Sequence, residues 1–254
     1  MEEIAVRSWD NPIIKESYDW MLKVGRELKE ELVLVGGWAT YLQAQKLKSM
    51  SLPSLDIDFV ALKENFRTIE KHLLANNFVP VGFRYIKYYP ETLDGGLKEI
   101  CFEESKRIPP YELRELFLDI LWDEKISPMS FTHPYVKVIF EKELYDEIKG
   151  VSVALPEVIL SMKFLIEKNK YRRQKQLKDL VDIYVLAVSP EELDFEVFKL
   201  LYSEEKFGLN WVVQYFKENE EFLASVAREL GIVFDREELA ERKLKGVNPH
   251  ERCE

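Results

Sequence analysis

The chain has 254 residues, 46% of them apolar and 32% charged, with a formal net charge of −10. That is enough for one large domain or two modest ones around a substantial core. The acidic balance excludes broad, sequence-independent attraction to nucleic acid, which relies on Lys and Arg neutralising phosphates, but leaves room for a local basic groove.

From the N-terminus, Met1-Glu2-Glu3 lacks the charged and apolar regions of a signal peptide. Pro12 to Glu30 reads as an amphipathic helix, with Ile14, Tyr18, Met21, Leu22 and Leu28 at apolar positions and Gly25 as the one weak point. Leu32-Val33-Leu34-Val35 is a short apolar run of the kind that forms a buried strand, and Gly36-Gly37 closes it. Trp38 to Leu47 reads as a helix, and Leu55-Asp56-Ile57-Asp58-Phe59-Val60 as a second strand. Ten helical residues rise about 15 Å, and the extended stretch Met50 to Leu55 can cover about 20 Å. The chain can therefore return and set Asp56 beside Gly37.

Asn65 to Leu74 looks helical, and Phe78 to Tyr89 looks like one or two strands. Leu93-Asp94-Gly95-Gly96 is a hairpin turn signal, with Gly96 to Phe102 as the returning strand. After Pro109-Pro110, Leu116 to Trp122 reads as a strand, followed by strands at Tyr135 to Phe140 and Val151 to Leu155. Pro156 suits a first helical position. From there the pattern is helical: Pro156 to Lys168, Gln174 to Val188, Pro190 to Tyr202, Asn210 to Leu230 and Arg236 to Lys245. Ser189 and Glu192 form a capping-box signature, and Gly231 and Gly246 fit helix stops. A mixed α+β half over 1–155 followed by a helical half over 156–254 is the expected organisation.

The chemistry concentrates in three aspartates. Residues i and i+2 of a strand share a face, so Asp56 and Asp58 form one negative site of hard oxygen ligands suited to Mg²⁺. Asp-apolar-Asp also arises at ordinary exposed edges, but aspartate is disfavoured in strands, and a pair beside Gly-Gly is less easily dismissed. Asp119 stands inside the apolar run Leu116 to Trp122, where a lone charge needs a partner, either a shared metal or a nearby cation. Asp123 is a rival just past the end of that run.

Gly36 and Gly37 permit close backbone approach, and the following helix offers free N–H groups to phosphate; a plain tight turn is the simpler use. Thr40 can reach a phosphate or bond back to its own helix. Lys163, Lys175, Lys178, Asp179 and Asp182 lie on the first two C-terminal helices, where i,i+4 surface pairs are the bland explanation. Tyr171-Arg172-Arg173 with Lys168 and Lys170 is the densest basic cluster. The aromatic segment Phe83 to Tyr89 suits base stacking or, more simply, strand-face packing.

Several classes drop out. His72, His133 and His250 show no zinc spacing, and no GxSxG, Walker A or GxGxxG motif occurs. Cys101 and Cys253 form neither a disulfide framework nor a CxxC knuckle. No apolar run approaches the ~18–20 residues that span a bilayer. No membrane association and a cytoplasmic location are expected.

Leu34-Val35-Gly36-Gly37-Trp38-Ala39, then Ser54-Leu55-Asp56-Ile57-Asp58-Phe59, then Asp119 resembles the DNA polymerase β-like nucleotidyltransferase superfamily. Within it the chain looks most like the AbiEii-type enzymes, which include toxins of toxin–antitoxin systems and carry a segment like Leu155-Pro156-Glu157…Lys163…Lys178-Asp179-Leu180-Val181-Asp182-Ile183. The resemblance covers roughly residues 30 to 188. It implies a nucleotidyltransferase-like mixed sheet flanked by helices, followed by a C-terminal helical bundle. It also implies two Mg²⁺ ions between Asp56, Asp58, Asp119 and an NTP, with transfer of NMP to an RNA, protein or small-molecule acceptor. Gly36, Gly37, Thr40, Ser54, Lys163 and Lys178 would then hold the nucleotide. Here Trp38 follows the glycine pair, Ser54 stands where the family usually has Thr, and Ser51-Leu52-Pro53 stands where it often has Arg. The alternative is a non-catalytic protein of the same fold that acts through a cognate partner.

Overall fold

The computed structural model describes residues 9–92, 95–164, 173–188 and 193–201, together with 221, 224, 225 and 228. These residues fall into two compact units. One takes the described residues up to Trp38 together with Pro53–Val153, and the other takes Ala39–Leu52 together with those from Ala154 onward. The division falls inside one helix, just after Trp38.

The first unit is built on a mixed sheet. Helix α1 (Pro12–Glu27) starts with the Asn11 side chain accepting from the Ile13 N–H at 3.2 Å, and Pro12 occupies the first turn. Strand β1 (Val33–Val35) is buried at every position, as its unbroken apolar run requires. Helix α2 (Gly36–Lys46) follows without a loop, so the glycines are the first residues of the helix rather than a separate turn. Strand β2 (Ile57–Ala61) and helix α3 (Phe66–Ala75) come next. The segment Phe78 to Tyr89 resolves into two antiparallel strands, β3 (Val79–Val81) and β4 (Arg84–Pro90).

A one-turn helix, α4 (Phe102–Ser105), precedes β5 (Leu113–Trp122), the longest strand. Then come β6 (Phe131–Thr132), α5 (Val136–Glu141), β7 (Tyr145–Ile148) and β8 (Val151–Ala154). The sheet has eight strands in the order β3-β4-β5-β2-β1-β8-β7, with β6 paired to β5. β2 runs antiparallel to β1 and parallel to β5, and β4 runs antiparallel to β5.

Two expectations are corrected here, and two short strands are added. Tyr135 to Phe140 is not a strand: Val136 and Ile139 are buried at helical spacing in α5, and a six-residue, mostly apolar segment cannot be assigned by periodicity alone. The returning strand at Gly96 to Phe102 reduces to two isolated bridges, Glu91 to Leu97 and Tyr88 to Ile100, before Cys101 caps α4. β6 and β7 escaped notice because two- and four-residue strands leave almost no pattern. Residues 93–94 of the expected turn lie outside the described residues.

The second unit contains the body of α2 together with α6 (Pro156–Phe164), α7 (Arg173–Val188) and α8 (Phe195–Leu201). Its core draws on Leu42, Val158, Leu160, Ile183, Val185, Leu186 and Phe198, all nearly inaccessible. Glu157 in the first turn of α6 accepts from the Asp194 N–H at 2.8 Å, fixing the approach to α8. The expected cap at Ser189, the cluster at 168–172, most of the two last helices and the stops at Gly231 and Gly246 lie outside the described residues. Among the described residues no helix is long and apolar enough to cross a membrane.

Candidate functional site

Four strands of the first unit bring one row of residues into register. Val35 of β1 pairs with Asp58 of β2, Asp58 pairs with Asp119 of β5, and Asp119 pairs with Arg84 of β4. Paired residues on neighbouring strands project to the same face, and strands lie about 4.8 Å apart. Asp58, Asp119 and Arg84 therefore stand side by side across the sheet. The residues flanking Asp58 and Asp119 along their strands, Ile57, Phe59, Leu118 and Ile120, are buried on the other face, while the two aspartates are half-buried.

The glycine at the end of β1 completes the row. Gly36 has φ +67°, the left-handed region that L side chains rarely adopt. A Cβ built there would overlap the Asp58 Oδ2 and lie 3.0 Å from both the Cβ and the Cγ of Asp58. The Asp58 carboxylate thus rests directly on the first residue of α2. A carboxylate at a helix N-terminus gains about 0.3–1 kcal/mol from the unsatisfied N–H groups and the helix dipole. The same N–H groups are what a phosphate would use. Gly37, the next residue, is buried.

Asp119 is held by Arg84, whose Nη2 lies 2.9 Å from the Asp119 Oδ2. The guanidinium sits 4.5 Å from the Phe117 ring centroid and 5.3 Å from that of Phe83. Sequence reasoning anticipated a cation partner for Asp119 only in general terms and missed Arg84. Its signal was a charged residue inside the aromatic run Phe83-Arg84-Tyr85, the same argument that singled out Asp119. The rival Asp123 is engaged elsewhere: its Oδ1 accepts from the Lys63 N–H at 2.7 Å.

The other expected site residues are placed as follows. Asp56 lies in the bend before β2, which begins at Ile57, so strand alternation carries Asp58 into the row but does not by itself carry Asp56. Ser54 is buried just upstream. Thr40, Lys163 and Lys178 belong to the second unit, and Thr40 is fully inaccessible.

Lys163 and Lys178 are buried rather than on the surface. The Lys163 Nζ lies 2.7 Å from the Asp179 Oδ1 and 2.9 Å from the Asp182 Oδ2, and the Lys178 Nζ lies 2.6 Å from the same Asp182 oxygen. Burial alone would depress the Lys163 ammonium, but the charges of Asp179 and Asp182 outweigh it and hold its pKa above the ordinary lysine value. Burial alone would raise the Asp182 carboxyl, but the two lysines outweigh it and hold it low. Both ammonium groups are thus committed to carboxylates, and a phosphate would have to displace one.

The fit to a divalent cation rests on the donor set. Among the described residues no group of three or more His, Cys, Asp or Glu side chains is arranged to hold a metal. Asp58 and Asp119 supply two adjacent hard-oxygen donors. That suits Mg²⁺, which takes one or two carboxylates and completes its shell with water and substrate phosphates.

No family model matches the chain, and no curated protein matches it. Among solved structures it is similar to JHP933 from Helicobacter pylori, with 16% identity, 94% of this chain and 92% of that one covered, and a TM-score of 0.42. It is similar to an antigenic nucleotidyltransferase-like protein from Paracoccidioides brasiliensis, with 15% identity, coverages of 87% and 95% and a TM-score of 0.45. It is also similar to the Megavirus polyadenylate synthase, with 14% identity, a TM-score of 0.39, 93% of this chain covered and 53% of that one.

Proposed function

We propose that this protein is a Mg²⁺-dependent nucleotidyltransferase that moves NMP from an NTP to an RNA, protein or small-molecule acceptor, and that it belongs with the AbiEii-type enzymes of toxin–antitoxin systems. The observation that carries this reading is the registered pair Asp58–Asp119, with the Asp58 carboxylate lying on Gly36 at the start of α2. In this reading the backbone at Gly36 and Gly37 receives the β- and γ-phosphates. Asp58 and Asp119 would supply the carboxylates for two Mg²⁺ ions, with Asp56, in the adjoining bend, the third ligand that the resemblance implies. Bound Mg²⁺ would neutralise the leaving pyrophosphate and lower the pKa of the acceptor hydroxyl. Asp119 lies on the acceptor side and takes the hydroxyl proton, with Arg84 orienting its carboxylate.

The test is thermal stability with Mg²⁺ and each NTP, in wild type, Asp58→Asn and Asp119→Asn, followed by transfer of label from NTP to cellular RNA and protein. A Mg²⁺-dependent rise with at least one NTP, lost in both variants, is expected. Its absence in wild type refutes the proposal. A second reading, a non-catalytic protein that works through a cognate partner, draws on the Arg84–Asp119 ion pair, because a guanidinium on the second carboxylate competes with a metal. It requires that no NTP stabilise the protein at any Mg²⁺ concentration.

A further inference from the structure

The aromatic segment Phe83 to Tyr89 divides in a way that the carboxylate row leaves unexplained. Tyr85, Tyr88 and Tyr89 are buried, as strand-face packing requires, but Phe83 is 38% exposed. Its ring lies 4.3 Å from that of Phe131, which is itself 45% exposed. Topology produces this meeting. β4 pairs with β5 only as far as Arg84 opposite Asp119, and β6 then pairs with β5 at Leu121 and Trp122. Phe83, in the turn just before β4, and Phe131, at the start of β6, face each other across that junction. Exposed Val81 lies two residues before Phe83, and Met129 lies over the Gly82 turn, 3.3 Å from where a Cβ would be. Contiguous exposed apolar surface of this kind marks a binding site more often than chance.

Its position decides the occupant. The row runs Gly36, Asp58, Asp119, Arg84, and the Phe83 ring centroid lies 5.3 Å from the Arg84 guanidinium carbon. The phosphate-receiving end is Gly36, so the aromatic pair stands at the opposite, acceptor end. An exposed aromatic face beside the carboxylate row suits a nucleobase, which stacks on the ring.

The geometry points to Phe83 and Phe131 as a stacking platform for the terminal base of a single-stranded RNA acceptor. This rests on the nucleotidyltransferase reading and narrows its acceptor to RNA. Because the chain carries net charge −10 and the Arg84 guanidinium is already paired with Asp119, binding is modest and carried by stacking. The logarithm of affinity then falls with that of salt by roughly 0.7 per phosphate contact, giving a shallow slope.

The test is fluorescence anisotropy of a 5′-labelled oligoribonucleotide with a free 3′-hydroxyl, without NTP or metal, on the full chain. Phe83→Leu and Phe131→Leu keep apolar cover but remove the ring, and each is expected to weaken binding roughly ten-fold, within the range for loss of one stacked base. Tyr111→Leu, at an exposed aromatic near the far end of β5, is expected to leave binding unchanged. Thermal stabilisation by Mg²⁺ and NTP is read on the same proteins. Stabilisation without oligoribonucleotide binding, or binding indifferent to both Leu variants, overturns the platform and leaves the enzyme reading standing. Ring-dependent binding without any NTP stabilisation supports the platform while removing the enzyme reading. Labelled product confined to protein also overturns it.

Discussion

Replacing Gly36 by Ala tests the contact on which the site is built. Two costs add. Alanine in the left-handed region at φ +67° costs about 1–2 kcal/mol. The new methyl also overlaps the Asp58 Oδ2 and sits 3.0 Å from the Asp58 Cβ and Cγ. Overpacking of this kind costs about 1–3 kcal/mol. A loss of roughly 2–5 kcal/mol is a large share of the 5–15 kcal/mol typical of a folded domain. Asp58→Ala removes the carboxylate but leaves its Cβ, so it relieves the worst overlap and not the backbone strain. A double-mutant cycle by denaturant unfolding should therefore show coupling of about 1 kcal/mol or more, with Gly36→Ala costing less in the Asp58→Ala background. Additivity within about 0.5 kcal/mol would mean that the carboxylate does not rest on the helix start, and the site geometry would be wrong.

Asp182→Asn should destabilise strongly, by about 3–5 kcal/mol, because it removes a fully buried carboxylate that serves two ammonium groups. The pKa of Asp182 is depressed by folding, so its contribution is present above the unfolded value near 3.8 and is lost as pH falls through the folded one. That of Lys163 is raised, so its contribution is complete below about 10.5 and is lost only as pH rises past its folded pKa. Unfolding free energy against pH should accordingly be steeper in acid for wild type than for the Asn variant. Burial pushes the His133 imidazole down to about 4. Its NMR titration should show it neutral at pH 5.5, and its contribution to stability should decline as pH falls from about 6.5 toward 4. Trp38→Phe removes the Nε1–H bond to the Ser17 Oγ at 2.8 Å, both groups being inaccessible, and should cost about 1–3 kcal/mol in denaturant unfolding.

What was legible in the sequence follows from how far each signal reaches along the chain. β1 was readable because four apolar residues ending in two glycines describe a strand buried on both faces. β2 and β5 were readable because an aspartate inside an apolar run is anomalous by itself. Gly25 looked like a flaw in α1, yet a Cβ there would lie 2.6 Å from the Val151 Cγ1, so the glycine permits close packing against β8. Nothing local announces Val151, 126 positions away, and no periodicity argument could have found it. Lys87 makes the same point: it is 1% exposed inside β4, with its Nζ 2.6 Å from the Glu99 Oε1 and 3.9 Å from the Trp20 ring centroid.

Lys163 shows the opposite error, a local signal read too locally. Its carboxylate partners lie 16 and 19 residues on, at Asp179 and Asp182, and they meet it only because α6 packs on α7. A basic residue on an amphipathic helix looks alike whether it awaits a phosphate or a buried aspartate. The row through Gly36, Asp58, Asp119 and Arg84 needed three strand registers, and each register depends on a pairing the sequence does not state. Its members betrayed themselves singly, as glycine or charge where bulk and apolarity were expected. Their order across the sheet, which sets a phosphate end and an acceptor end, comes from the pairing alone. Any assignment of donor and acceptor sides therefore stands or falls with β2 lying parallel to β5, with Asp58 beside Asp119. Shifting that register by one residue would turn Asp119 to the opposite face and dissolve the row. A cross-link between Asp58→Cys and Asp119→Cys under mild oxidation would report the register directly. Efficient closure is expected there, and preferential closure of Asp58→Cys with Ile120→Cys would break the argument.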